Sequence, residues 1–280
     1  MKILLTGRNG QLGWELERSL PPLGQVVAFD RASLDLTDPD QTIARVRDVK
    51  PEIIVNAAAY TAVDRAESEP ELAMQVNGTA PGILAEETKR LGALLIHYST
   101  DYVFDGTKPA PYLETDTPNP VNAYGRSKLE GERAIQANGC RYLVLRTSWV
   151  YGMRGTNFLL TILRLARERP ELRVVNDQIG APTWSRDIAT ATAQLTKEAE
   201  AGKTGGLFHL TAGGATSWHG FAREILKARG IDTPLRPIST AEYPTPAKRP
   251  ANSLLSCATI LARWKLELPE WQQSLARCLR

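Results

Sequence analysis

An α/β fold, with a doubly wound parallel sheet and a smaller C-terminal domain, is what this sequence predicts, and three observations predict it. Five short runs, KILLT, QVVAFD, EIIVNAAA, ALLIHYS and YLVLRTS, are nearly continuous in apolar residues, the pattern of strands buried on both faces. Amphipathic segments at 11–20, 39–49, 70–91 and 121–138 alternate with them, giving the rhythm of strand, helix, strand. The first run leads directly into TGRNGQLG, a glycine-rich turn that opens a helix.

Each element has its own justification. Gly7, Gly10 and Gly13 follow the first strand in the spacing G-x-x-G-x-x-G. Glycines there permit a tight turn and a close approach of backbone to a pyrophosphate, while the helix N-terminus attracts the anion. This is the dinucleotide-binding signature of a Rossmann-type sheet. The second strand ends at Asp30, twenty residues past Gly10, where an acid can accept hydrogen bonds from an adenosine ribose. Arg31 follows it and suits a 2′-phosphate, so NADPH and NADH both stay open. The third strand ends in NAAAYT, where the small side chains of Ala57, Ala58 and Ala59 let a cofactor lie against the strand's carboxyl end.

The fourth strand runs into TDYVFDG, with Thr100 and Asp101 at the edge where open α/β sheets bind ligands. The next helix, closed by Gly139, carries YGRSK near its start, and a spacing of four puts Tyr124 and Lys128 on one face. A phenol with an ordinary pKa near ~10 is a poor proton donor at neutral pH unless a cation stabilises its anion, a task for which Lys128 is placed. Thr100 is expected to hydrogen-bond the reacting oxygen beside Tyr124.

Beyond Tyr151 the rhythm loosens. Helices are expected at 157–169, 185–201, 217–229 and 269–279, with strands at LRVVND and GLFHLTA. Residues 237–250 hold four prolines, which exclude a long helix or central strand and predict a loop wrapping over something. The expected division is a dinucleotide-binding domain at 1–150 and a mainly substrate-binding domain at 151–280, with parts of 182–212 returning to the large sheet.

Composition narrows the function. The chain has 280 residues, 42% of them hydrophobic, enough for a large core. Its 34 basic and 31 acidic residues leave a net charge of +3 with no long basic block, which argues against nucleic-acid binding. Cys140, Cys257 and Cys278 are odd in number, far apart and without metal-ligand spacing, so they read as reduced thiols. No run reaches the ~18 apolar residues of a membrane span, and the first strand starts at Lys2 without a signal-like preamble. A cytoplasmic location is expected.

The glycine motif, NAAAYTAVDRAE, YSTDYVFDG, YGRSK, LRTSWVYG, NDQIGAPT and YPTPAKRPANS together resemble the extended short-chain dehydrogenase/reductase group, and within it the dTDP-4-dehydrorhamnose reductase family, from Lys2 to about Leu275. The resemblance implies reduction of the C4 keto group of dTDP-4-dehydro-6-deoxy-L-mannose by NADPH or NADH, the last step of dTDP-L-rhamnose synthesis. It carries the family's catalytic trio onto Thr100, Tyr124 and Lys128. The expected cofactor contacts are Gly7, Asn9, Gly10, Gln11, Leu12, Gly13, Asp30, Arg31, Asp35, Leu36, Ala57, Ala58, Ala59, Tyr60, Ser99, Tyr124 and Lys128. Thr100, Asp101, Trp149 and Arg249 are expected at the substrate, Trp149 by matching a family tryptophan that lines the sugar site and Arg249 by matching a family arginine near the nucleotide diphosphate. Some family members are associated with magnesium, with Glu15 matching one ligand, but no cluster of acids or histidines here has the spacing of a metal site. The expected partners are a dTDP-sugar and a second copy of the chain in a homodimer.

Related readings are a nucleotide-sugar dehydratase, an epimerase, and a silent subunit that only binds nucleotide. Dehydratases of the group carry a glutamate where Tyr102 stands. Epimerases retain their dinucleotide, so a sample purified without it favours a reductase. A silent subunit has no need of Thr100, Tyr124 and Lys128 together.

Overall fold

The protein was analysed as a computed structural model that describes residues 1–200, 202 and 205–280. Its large sheet has six parallel strands: β1 (Lys2–Thr6), β2 (Gln25–Phe29), β3 (Ile53–Asn56), β4 (Leu94–Thr100), β5 (Arg141–Thr147) and a sixth at Gly206–His209. The spatial order puts β2 at one edge, then β1, β3, β4 and β5, with Gly206–His209 at the other edge. The chain therefore reverses direction between β1 and β3, and the loops leaving those strands face each other at the switch point.

The apolar runs are continuous because both faces are covered. Ile3, Leu5, Ile53, Val55, Leu94, Ile96, Leu143 and Leu145 join one core, with Leu16 of α1 (Gln11–Ser19) and with Ile188 and Leu195 of a helix at Ser185–Glu200. The alternate residues Leu4, Ile54, Leu95 and Val144 join another, with Val46 of α2 (Pro39–Val49), Leu84 and Ile135. Residues 185–200 and 206–209 thus belong to the large sheet and its cover. The expected helix end at Ala201 lies outside the described residues.

The segment expected as one helix at 70–91 is α3 (Pro70–Met74), a π-helical turn at Gln75–Thr79, and α4 (Ala80–Leu91). The wide turn presents the fully buried Asn77, whose side chain bonds both the backbone N–H and the carbonyl of Tyr60 and also donates to Ser127 Oγ at 3.0 Å. Periodicity cannot anticipate this, because the extra residue serves a partner seventeen positions away.

The helix bearing YGRSK is α5 (Ala123–Asn138), capped by Asn122, which accepts from the Gly125 N–H at 2.7 Å. Beyond β5 come β6 (Val150–Tyr151), α6 (Phe158–Glu168), β7 (Leu172–Val175), β8 (Ile179–Gly180), β9 (Thr183–Trp184) and α7, the helix at Ser185–Glu200. After β10 (Gly206–His209) follow β11 (Thr216–Ser217), α8 (Trp218–Ala228), β12 (Leu235–Ile238), α9 (Ala258–Trp264) and α10 (Trp271–Cys278). A third core of Tyr151, Leu159, Ile162, Trp184, Phe221, Ile225, Trp271 and Leu275 joins α6, α8 and α10. Of the proline-rich run, only Pro237 and Ile238 lie in a strand, β12, which pairs with β7 alone. That is an edge position, where a missing N–H is tolerated.

Candidate active site

A cavity of about 550 Å³ opens at the carboxyl ends of β1, β3 and β4. Of the expected cofactor residues, Gly7, Asn9, Gly10, Gln11, Leu12, Asp30, Arg31, Asp35, Leu36, Ala57, Ala58, Ala59, Tyr60, Ser99, Tyr124 and Lys128 line it. Gly13 stands behind the wall, where a Cβ would lie 2.0 Å from the Gly7 carbonyl oxygen.

Gly7 shapes the cradle. Its φ is +72°, and a Cβ would meet the Ala58 nitrogen at 2.7 Å, so only glycine lets the β1 loop press against the chain leaving β3. The N-cap of α1 is Gly10, which offers no side-chain hydrogen bond, so the first N–H groups of the helix keep their pull on an anion. At the far end, Ser99 Oγ and Thr147 Oγ1 are buried without hydrogen-bond partners while their residues line the same cavity. An open helix N-terminus at one end and two unspent hydroxyls at the other fit a long molecule with a phosphate middle and a polar head.

The acid after β2 has two tasks. Asp30 accepts from the Ser33 N–H at 3.0 Å, the Ser33 hydroxyl at 2.7 Å and Asn9 Nδ2 at 3.2 Å, and the Ser33 contacts hold its carboxyl below the ordinary range. It thus builds the turn that it was expected to offer to a ribose. Arg31 is exposed and lies 3.8 Å from Asp35. Asp35 Oδ1 accepts from the Thr37 N–H and hydroxyl, and buried Leu36 packs with Leu34 and Ala80. Gln11 Oε1 accepts from Asn157, the N-cap of α6, at 2.9 Å, which ties the glycine loop to the C-terminal half.

Tyr124, Lys128 and Thr100 come together because α5 crosses the end of β4 closely. A Cβ on Gly125 would lie 2.2 Å from the Tyr102 carbonyl oxygen, so the glycine of YGRSK brings the helix start down onto the turn after Thr100. The Tyr124 ring meets Tyr102 edge-on at 5.5 Å. Burial pushes the Tyr124 phenol above its ordinary value, the charge of Asp101 adds to this, and a hydrogen bond with the Thr100 side chain opposes it. Thr100 also donates to Asp101 Oδ1 at 3.0 Å and accepts from the Tyr102 N–H at 3.2 Å. Burial raises Asp101 to about 6.

Lys128 departs from expectation. Its amine donates to the Tyr98 carbonyl at 2.6 Å and lies 3.1 Å from His97 Nε2, and burial pushes its pKa down to about 8. It is absent from the influences on the Tyr124 phenol, which is raised, not lowered. The spacing of four put both residues on one face, but an amine that is 2% exposed takes whatever acceptor the neighbouring strand offers.

Of the residues expected at the substrate, Thr100, Asp101, Trp149 and Arg249 are all outside the cavity lining. Trp149 has φ +48°, a conformation costly for a bulky residue, and stacks on Trp218 at 3.5 Å and 7°. Arg249 forms a two-pronged pair with Asp64, at 2.9 and 2.8 Å, beside the Asn122–Lys248 bond that ties the proline-rich run to the cap of α5. The run therefore wraps over the start of the helix carrying Tyr124.

Sequence reasoning missed Thr147, Gly155 and Thr156 in the cavity wall. Thr147 was findable: it ends β5 and pairs in register with Thr100, the end of the neighbouring strand. The described residues of a single chain offer no complete ligand set for a divalent metal. Glu15 is held by Arg186 at 3.1 Å, and no group of three or more His, Cys, Asp or Glu among the described residues could ligate one.

The sequence family described as RmlD substrate binding domain matches residues 1–280. The chain is 53% identical to a dTDP-4-dehydrorhamnose reductase of Burkholderia thailandensis, covering 100% of this chain and 98% of that protein. It is 47% identical to one of Escherichia coli strain K12, covering 100% and 97%. Among solved structures, the Bacillus anthracis dTDP-4-dehydrorhamnose reductase in complex with NADP superposes with a TM-score of 0.94 at 36% identity, over 99% of this chain and 98% of that one. A UDP-glucose 4-epimerase of Thermotoga maritima shares the fold at a TM-score of 0.86 and 20% identity, covering 100% and 97%. With the whole length matched and the glycine cradle, strand ends and α5 pair all in place, the chain belongs to the RmlD substrate binding domain family.

Proposed function

We propose that the chain is a dTDP-4-dehydrorhamnose reductase, converting dTDP-4-dehydro-6-deoxy-L-mannose to dTDP-L-rhamnose at the expense of NADPH or NADH. The observation that carries the reading is that Tyr124 and Lys128 line a cavity cradled by Gly7 and that Thr100 is hydrogen-bonded to Tyr124, in a chain matched end to end by reductases of that name. The dinucleotide, when bound, supplies a hydride to the C4 carbonyl carbon of the sugar.

The chain's own groups manage the oxygen. Negative charge grows there as the carbon is reduced, and Tyr124 gives it a proton while the Thr100 hydroxyl, turned from Asp101, donates a hydrogen bond to it. The raised phenol is protonated throughout the neutral range, the form a donor needs. Lys128 keeps an N–H for the cavity it lines, where a ribose hydroxyl or the phenolate left by Tyr124 can accept it. Asp30 and Arg31 act in opposite senses on a 2′-phosphate, so both cofactors are used. Trp149, braced on Trp218, and Arg249, held by Asp64, complete the sugar-nucleotide side.

In this reading residues 1–150 hold most of the dinucleotide and 151–280 mainly the sugar. Free thiols at Cys140, Cys257 and Cys278, and the lack among described residues of any helix long and apolar enough to cross a membrane, support a cytoplasmic enzyme. A homodimer belongs to the same reading and is checked by light scattering. The deciding experiment follows loss of reduced-nicotinamide absorbance with the dTDP-4-keto sugar generated in situ. Turnover that depends on the sugar supports the reading, and cofactor binding without turnover overturns it in favour of a silent subunit.

A further inference from the structure

Beneath the cavity runs a line of buried polar groups that the chemistry above leaves unused. The Ala58 N–H, in the cavity wall, donates to Thr6 Oγ1 at 3.2 Å, and Thr6 Oγ1 donates to Asn56 Oδ1 at 2.7 Å. Asn56 Nδ2 meets His97 Nδ1 at 3.1 Å, and His97 Nε2 meets Lys128 Nζ at 3.1 Å. Thr6, Asn56, His97 and Lys128 are each 2% exposed or less, so water does not share these bonds. The line crosses β1, β3 and β4 and ends on α5.

Its polarity is constrained from one end. A backbone N–H can only donate, so Thr6 accepts from Ala58 and passes its own hydrogen to the Asn56 oxygen. The Asn56 NH₂ then faces the ring, and His97 Nδ1 must accept. Burial holds the imidazole well below its ordinary range, hence neutral, with one N–H to place. That N–H falls on Nε2, facing the lysine.

We propose that His97 is a positioning residue for Lys128, presenting a ring N–H to its amine and so favouring the uncharged amine in the unliganded protein. The inference rests on the reading of Lys128 as part of a reductase site. The other groups acting on the amine are Tyr98 of β4, through its carbonyl, and Glu132 of α5. Glu132 favours the ammonium, but its carboxylate is bound by Arg146 of β5 at 2.6 Å. His97 is then the side chain on β4 that opposes protonation, and cofactor binding must work against it when it draws the charged form.

Ring-nitrogen NMR of the parent tests this without substrate, and three histidines make assignment tractable. His97 is expected as the Nε2–H tautomer above about pH 8, where the Lys128 amine is uncharged and can accept it. A Nδ1–H tautomer or an imidazolium overturns the proposal, whether or not the protein turns over the keto sugar. A second arm compares kcat–pH profiles of the parent, His97→Leu and His97→Gln. Loss of one hydrogen bond to the amine moves the basic limb of His97→Leu up by about 0.7 pH unit, and the glutamine amide, which can donate from the same place, returns it towards the parent. A folded His97→Leu enzyme whose limb coincides with the parent's overturns the proposal, and if that variant does not fold, the parent spectrum decides alone.

Discussion

Tyr124→Phe removes one oxygen from the site and little else. The ring keeps its edge-on contact with Tyr102 at 5.5 Å, and Thr100, losing the phenol, keeps Asp101 at 3.0 Å. The stability cost is therefore that of a single hydrogen bond, about 1 kcal/mol. The catalytic cost is larger, because a positioned acid supplies ~100-fold to 10,000-fold in rate, or about 3–5 kcal/mol of barrier. Expected is a folded protein with cofactor Kd close to the parent's and kcat lower by that factor. Both are measurable, Kd by nicotinamide fluorescence and kcat by absorbance with the keto sugar. A kcat within a few-fold of the parent's refutes the assignment and makes Asp101 the next candidate. The pH profile separates the two: an Asp101 donor, raised to about 6, loses activity as pH climbs through that value, whereas the Tyr124 phenol, pushed above its ordinary range, stays protonated well past neutrality.

Thr100→Val keeps the volume and loses the donor, so kcat/KM should fall by about 2–4 kcal/mol equivalent; an unchanged value removes Thr100 from the oxygen's surroundings. Lys128→Met should lower kcat and weaken cofactor Kd together, and an effect on one alone shows that Lys128 serves one of its two tasks. Asp30→Ala should shift kcat/KM preference towards NADPH by leaving Arg31 unopposed, with some loosening of the Asp30–Ser33 turn; a shift towards NADH means the ribose contact lies elsewhere. Asp105, in TDYVFDG, accepts from the Thr107 N–H at 3.0 Å, Asn119 at 3.0 Å and the Tyr112 hydroxyl at 2.7 Å, bonds that hold its carboxyl well below the usual range. Because the folded pKa is depressed, this stabilisation is present above the unfolded value near ~4 and disappears as pH falls below it. Stability followed by circular dichroism should therefore fall more steeply below about pH 4 in the parent than in Asp105→Asn, which is less stable near neutrality but lacks this titration, and equal slopes refute the linkage.

The strands, the cradle and the helical pair were legible in the sequence because each depends on spacing along the chain. A strand buried on both faces must be apolar at consecutive positions, a pyrophosphate turn needs Gly7, and a spacing of four aligns Tyr124 with Lys128 on any α-helix. The tertiary structure decided what those groups touch. The Lys128 amine turned to the Tyr98 carbonyl, thirty positions earlier, because burial makes the nearest acceptor obligatory. Thr147 entered the cavity wall only through its register with Thr100, and the π-helical turn at Asn77 exists for Tyr60 and Ser127. Arg249, placed near a diphosphate by resemblance, closed on Asp64, 185 residues away. Spacing along the chain sets which face of an element a residue occupies, but the partner it finds there is chosen by packing between elements that are distant in sequence, where an unpaired buried polar group costs too much to persist.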